Sequence, residues 1–219
     1  EPTQPRLRIA SHAESVFARG QSLVWPVRSV VWLGGRFRTL PDFRPWILSA
    51  EWMGRPARGE ALRFGAPGWY PSLPASLRTQ PPLPGTTPDD AEDLEGYVVL
   101  TMGQYHEARR MARLFDSSEV LVYYGDAADI DPPVVTAVDA APSGDGIALT
   151  IHASDPSGIA DVHVTWASAR GDRWQSVSAT TAGDGTWSTT IPADAEALVQ
   201  VVDGAGNAAM ADNGGSLFP

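Results

Sequence analysis

Cysteine and lysine are both absent from the 219 residues, and all sixteen basic side chains are arginine. The first absence removes a disulfide framework, a zinc–thiolate site and a cysteine nucleophile. The second removes a Schiff-base amine and the lysine of a phosphate loop. No apolar run approaches the roughly 18 residues of a membrane-spanning helix, so no transmembrane segment is expected. The start, Glu1-Pro2-Thr3-Gln4-Pro5, has neither an initiator methionine nor a charged-then-apolar leader, and reads as the processed or excised edge of something longer. Positive charge is scarce against a net −10, so the basic footprint that a nucleic-acid partner requires is missing.

Glycine (21) and proline (19) are plentiful beside 43% hydrophobic residues, a composition that fits a folded chain rich in turns. Charge is distributed unevenly. Residues 1–128 hold 14 Arg against 14 acids, whereas 129–219 hold only Arg170 and Arg173 against 12 acids. A boundary near residue 130 follows, and Asp129-Ile130-Asp131-Pro132-Pro133 has the chemistry of a stiff linker, because the proline pair forbids helix. We therefore divide the chain into 1–128, a linker at 129–133, and 134–219.

The last part alternates apolar and polar residues in short runs: Val135 to Ala137, Ile147 to Ile151, Val162 to Trp166, Trp174 to Val177, Trp187 to Ile191, Ala197 to Val201, and Ala208 to Ala211. Turn chemistry separates them, at Ser143-Gly144-Asp145-Gly146, Asp155-Pro156-Ser157-Gly158, Arg170-Gly171-Asp172 and Gly183-Asp184-Gly185. About seven short strands is the count of an immunoglobulin-like sandwich, with Trp166 and Trp187 as core candidates. Three stretches, Ala153 to Ala160, Gly185-Thr186-Trp187 and Val201 to Ala208 with its Asp203-Gly204-Ala205-Gly206-Asn207 turn, resemble the bacterial Ig-like or fibronectin-type-III-like modules of secreted and cell-surface proteins. That resemblance covers about residues 132–215. It implies an extracellular or cell-surface location and, as partners, other domains or chains of a larger extracellular assembly.

Residues 1–128 have a β-rich α+β pattern. Strand-like runs lie at Leu7 to Ile9, Leu23 to Trp25, Val27 to Leu33 and Phe37 to Leu40, and seven prolines fall in 66–88, which reads as a long ordered loop. Tyr97 to Met102 and Val120 to Tyr124 are apolar runs. Between them Tyr105, Ala108, Met111, Ala112 and Phe115 fall on one helical face. The spacing predicts a strand–helix–strand unit, of the kind that crosses between parallel strands. The fold class expected is thus mainly β: an Ig-like sandwich preceded by a β-rich region with one helix.

The candidate sites follow from side-chain chemistry. Asp129, Asp131, Asp155, Asp203 and Asn207 are oxygen-bearing residues gathered at the linker and at two turns. Structural calcium, which takes six to eight oxygens, is the cofactor such a set would hold; otherwise these residues make turns and solvate the linker. Trp25, Trp32, Trp46, Trp52 and Trp69, interleaved with arginines, suit either an aromatic ligand-binding platform or a core. His152 and His163 alternate with apolar neighbours and are expected to point outward. The acidic run at 89–95 reads as solvated, and there is no zinc-protease helix, nucleophile elbow or phosphate loop. A Gly125-Asp126 turn ahead of an Ig-like module is similar to the end of gingipain-type cysteine peptidase domains, whose nucleophile this chain lacks. Three functions fit: a non-catalytic structural or accessory module pair, a carbohydrate- or protein-binding adhesion module, and the C-terminal fragment of an extracellular hydrolase with its catalytic residues elsewhere.

Overall fold

The computed structural model describes residues 6–12, 27–43, 68–79 and 96–219. Among these residues the secondary structure is β strand throughout, with no helix. In chain order the strands are β1 Arg6–His12, β2 Val27–Leu40, β3 Trp69–Tyr70, β4 Ala75–Thr79, β5 Gly96–Leu100, β6 Gly103–His106, β7 Met111–Phe115 and β8 Ser117–Tyr124. Eight more follow: β9 Val134–Ser143, β10 Gly146–Ser154, β11 Ile159–Ser168, β12 Arg173–Ser178, β13 Thr180–Gly183, β14 Thr186–Pro192, β15 Ala195–Asp203 and β16 Ala208–Ala211. The largest sheet is curled and antiparallel and runs β16-β15-β11-β12-β2-β7-β6-β3, with β8 branching from β2 and β1 pairing β8. A second sheet is ordered β13-β14-β10-β9, and β4 pairs β5.

The expected helix is a hairpin. Gly103–His106 and Met111–Phe115 pair antiparallel, with Tyr105 opposite Ala112, across a turn closed by Arg110 N–H donating to Glu107 O at 3.1 Å. Arg110 takes the left-handed φ of 50° that the turn requires. The helical spacing loses because β7 is flanked by β6 on one side and β2 on the other, so its backbone bonds go to two neighbouring strands. The parallel crossover fails with it: Tyr97–Leu100 pairs β4, whereas Val120–Tyr124 pairs β1 and β2, all antiparallel. The described part of the proline-rich stretch carries β3 and β4 rather than a loop.

One strand organises the first half of the chain. β2 pairs β8 along Val27–Gly34, β12 at Gly35–Arg36 and β7 along Phe37–Leu40, so three neighbours share its 14 residues. Its path turns at a glycine pair. Gly34 has φ +116°, where a Cβ would lie 2.3 Å from Trp174 O; at Gly35 a Cβ would lie 1.9 Å from Ser117 O. Both approaches demand the absence of a side chain.

The buried side chains form two large groups. Leu149, Ile151 and Ile191 of the second sheet meet Val162, Val164, Val199 and Val201 of the first, with Trp166 and Trp187 packed at the margin. On the other face, Trp32, Phe37, Phe115, Val120 and Val122 pack with Ala167, Trp174, Leu198 and Leu217, which draws residues from both sides of 129–133 into one core. Trp32 meets Phe115 edge-on at 5.5 Å and Trp174 at 5.3 Å. Each such indole removes roughly 200 Å² from water, about 5 kcal/mol of gross burial before conformational entropy is counted. β15 is covered on both faces, which explains its nearly unbroken apolar run from Ala197 to Val202.

Candidate functional site

The segment 125–133 is held by two side chains. Arg28, on β2, donates from Nε to Gly125 O (2.9 Å) and from Nη1 to Asp129 O (3.3 Å), and its Nη2 donates to Ala127 O. The Asn207 amide donates to Asp129 O and Asp131 O, both at 3.2 Å, and to Asp203 Oδ2 at 2.9 Å. One guanidinium and one amide thus collect five main-chain contacts from a segment whose prolines donate none.

Three of the four aspartates named from the sequence come together. A carboxylate oxygen from each of Asp129, Asp155 and Asp203 lies within 4.8 Å of the others. Asp131 contributes its backbone, donating N–H to Asp129 Oδ1 at 3.1 Å, and Asn207 enters as a donor. The Asp203 carboxylate, fully buried, accepts the N–H groups of Ala205 and Asn207 at Oδ1, both at 2.8 Å. Asp155 Oδ1 accepts from Ser157 N–H (2.7 Å) and Ser157 Oγ (2.6 Å). Asp129, Asp155 and Asp203 are the residues that would hold calcium; the hydrogen bonds they now make are those of turns closed by aspartate.

Of the tryptophans, Trp32 and Trp69 are buried, at 0% and 2% exposure; Trp25, Trp46 and Trp52 lie outside the described residues, as do the acidic run 89–95 and the run at Leu23 to Trp25. Trp69 belongs to a charged cluster that the sequence did not signal. Its Nε1 donates to Glu196 Oε2 at 2.9 Å, Arg109 meets Glu196 Oε1 at 2.5 Å, and Arg113 meets Oε2 at 3.4 Å. Arg113 is 4% exposed, and its guanidinium stacks over Trp69 at 3.9 Å and over Phe37 at 4.8 Å. Burial lowers its pKa to about 10 in spite of the Glu196 charge. Burial alone would raise Glu196, but the Arg109 hydrogen bond, the Arg113 charge and the Trp69 N–H together hold it below its ordinary 4.5. His106 packs edge-on to Trp69 at 5.3 Å and is held below 6.5, by burial first and then by Arg109.

His163 is buried, contrary to the outward position expected from alternation. It does lie opposite Val162 and Val164, but β11 is covered on that face too, and Tyr123 from β8 reaches it. The Tyr123 hydroxyl donates to Asp161 Oδ2 at 2.9 Å and lies 3.2 Å from His163 Nε2, a tyrosine held between a carboxylate and an imidazole. His152 is partly exposed, 3.8 Å from Asp139 Oδ2. A fourth polar arrangement fixes β2 itself. Gln200 accepts the Trp32 N–H at Oε1 (2.8 Å) and donates from Nε2 to Trp32 O (2.7 Å), and Thr165 Oγ1 donates to the same carbonyl at 2.9 Å. The amide of Gln200 replaces the main chain of a neighbouring strand. The available signal was the residue type: Gln200 and Glu196 interrupt the apolar run of β15, and Arg113 that of β7.

No protein-family model matches the chain, and no relative is found among curated proteins.

Proposed function

We propose that the chain is a non-catalytic structural module of a secreted or cell-surface bacterial protein, in which residues 134–219 form an Ig-like or fibronectin-type-III-like sandwich and β1–β8 buttress it. The observation that carries this reading is the shared core of Trp32, Trp174 and Leu198, closed by the grip of Gln200 on the Trp32 backbone. Two modules meant to move independently meet through smaller and more polar contacts than these. The Asp155-Pro156-Ser157-Gly158 and Asp203 to Asn207 turns supply the resemblance, and Arg28 with Asn207 stiffens the segment between the parts. Such a body suits a spacer or assembly element, which must transmit position rather than react.

Because the chain has no cysteine, spin labels enter cleanly at Asp116→Cys and Asp145→Cys, both exposed positions. Pulsed electron resonance should give one narrow distance distribution, and a broad or double one overturns the spacer reading. An antibody to the chain should label intact cells or the culture medium of the producing organism. Detection only after lysis would overturn the location.

A further inference from the structure

A half-open cleft of about 600 Å³ lies between β2, β8 and β12, lined among others by Gly34, Glu119, His163, Arg173, Ser176 and Ser178. It exists because β12 pairs β2 only through Arg173 with Arg36 and Trp174 with Gly35. At Gly34 the β2 strand turns away to run over β11 and β15, while β12 continues to Ser178. Backbone direction alternates along a strand. Ala179 N–H donates to Val162 O on β11 at 2.8 Å, which turns Val177 and Gln175 toward β11 and turns Ser178 and Ser176 away from it, in phase with Trp174. Among the described residues no strand pairs with β12 on that outer side beyond Trp174.

We propose that this cleft binds an extended peptide segment of another protein, which adds as a short strand to the outer edge of β12 and places a carboxylate against Arg173. An unpaired strand edge is a template for main-chain pairing, and residues two apart, like Ser176 and Ser178, match alternate residues of an incoming strand. Arg173, the one guanidinium among the described lining residues, makes no ion pair among the described residues, so it is the group that would take an acidic residue or a C-terminal carboxylate of the incoming peptide. A sugar is the weaker fit. Sugar sites stack rings on exposed aromatic faces, and the one indole here, Trp174, is fully buried in the core. The proposal concerns what the cleft binds and is independent of where the protein resides.

The test pans the full chain against a phage-displayed library of random seven-residue peptides and maps the enriched peptides by amide NMR. Enrichment of sequences with an acidic residue is expected, with shifts concentrated at Ser176, Ser178 and Gly34. Ser176→Pro removes one of the two outward N–H groups, leaving that of Ser178, and spares the β11 ladder, so it should weaken binding about tenfold while the chain stays folded. Arg173→Gln should weaken only the acidic peptides, by about fivefold. If Ser176→Pro does not fold, the shift map and Arg173→Gln decide. The proposal falls if no peptide is enriched, if the shifts lie elsewhere, if folded Ser176→Pro binds equally well, or if cellobiose or chitobiose moves the same amides instead.

Discussion

Two polar seams fasten the strands before residue 129 to β11 and β15, and they are built on opposite plans. At the first, Gln200 and Thr165 hold the Trp32 backbone with neutral groups, and both Gln200 side-chain atoms have partners. At the second, the Glu196 carboxylate gathers Arg109, Arg113 and Trp69, yet Arg113 Nη1 and Gln104 Oε1, on residues directly opposite one another in β6 and β7, have none. A neutral amide costs little to desolvate and fixes register. A buried guanidinium costs far more, and its benefit hinges on one counter-charge and on the rings beneath it.

The largest expected effect is therefore at the ionic seam. Glu196→Ala strips Arg113 of its counter-charge and should destabilise by about 3 kcal/mol, the lower end of the range for a broken buried pair because Glu196 keeps some contact with water. Replacing both partners, Arg113→Met with Glu196→Leu, should recover most of that loss in urea titrations. A double variant as unstable as the single one would show that the seam is held by shape rather than charge. At the neutral seam, Gln200→Leu leaves the Trp32 N–H buried without an acceptor and should cost about 2 kcal/mol, equally at pH 5 and pH 8. A strong pH dependence of that loss would break the contrast between the two seams.

The parts of the fold that were legible in the sequence are those governed by local rules. Alternation located the runs that became β9–β12 and β14–β16, and the Asp-Gly turns fell between them, with Gly144, Gly158, Gly183 and Gly185 all at positive φ. What misled was a segment with two periodicities. Tyr105 to Phe115 satisfies helical spacing and also strand pairing, and the choice belongs to β2 and β6, which are distant or merely adjacent in the sequence. The same limit applies to the seams. Gln200 announces a buried polar group by interrupting an apolar run, but that its partner is the backbone of Trp32, 168 residues away, follows only from the path of β2. Asp129, Asp155 and Asp203 were legible as oxygen-bearing residues at the linker and at two turns; that Asn207 donates to Asp203 Oδ2 and to the Asp129 and Asp131 carbonyls was not.

Acid should separate the seams by a smaller margin. His106 is held below its ordinary 6.5, so the fold favours its neutral form. That contribution is complete above pH 6.5 and declines as pH falls from there toward the folded value. Glu196, held below 4.5, contributes fully above that pH and loses its contribution as pH falls through its folded pKa. Melting temperature should thus decline in two stages on acidification. His106→Asn should remove the upper stage and Glu196→Gln the lower. A single stage unaffected by either substitution would place the acid sensitivity elsewhere.

The smallest effect is expected at the joint. Asn207 holds Asp129 O, Asp131 O and Asp203 Oδ2 with one amide, so Asn207→Ala should cost about 1 kcal/mol, typical of net hydrogen bonding, or a fall of about 2–4 °C for a chain of this size. Calcium is the discriminating reagent. The carboxylates of Asp155 and Asp203 are already engaged by their own turns, and a cation drawing on them together with Asp129 would have to compete with Ser157, Ala205 and Asn207 for the same oxygens. Millimolar calcium or a chelator should therefore leave the melting temperature of the native chain unchanged. A rise with calcium that Asp155→Asn abolishes would instead make the joint a metal-stiffened one. The acidic cluster would then belong with the ionic seam, as a site whose strength depends on one counter-charge.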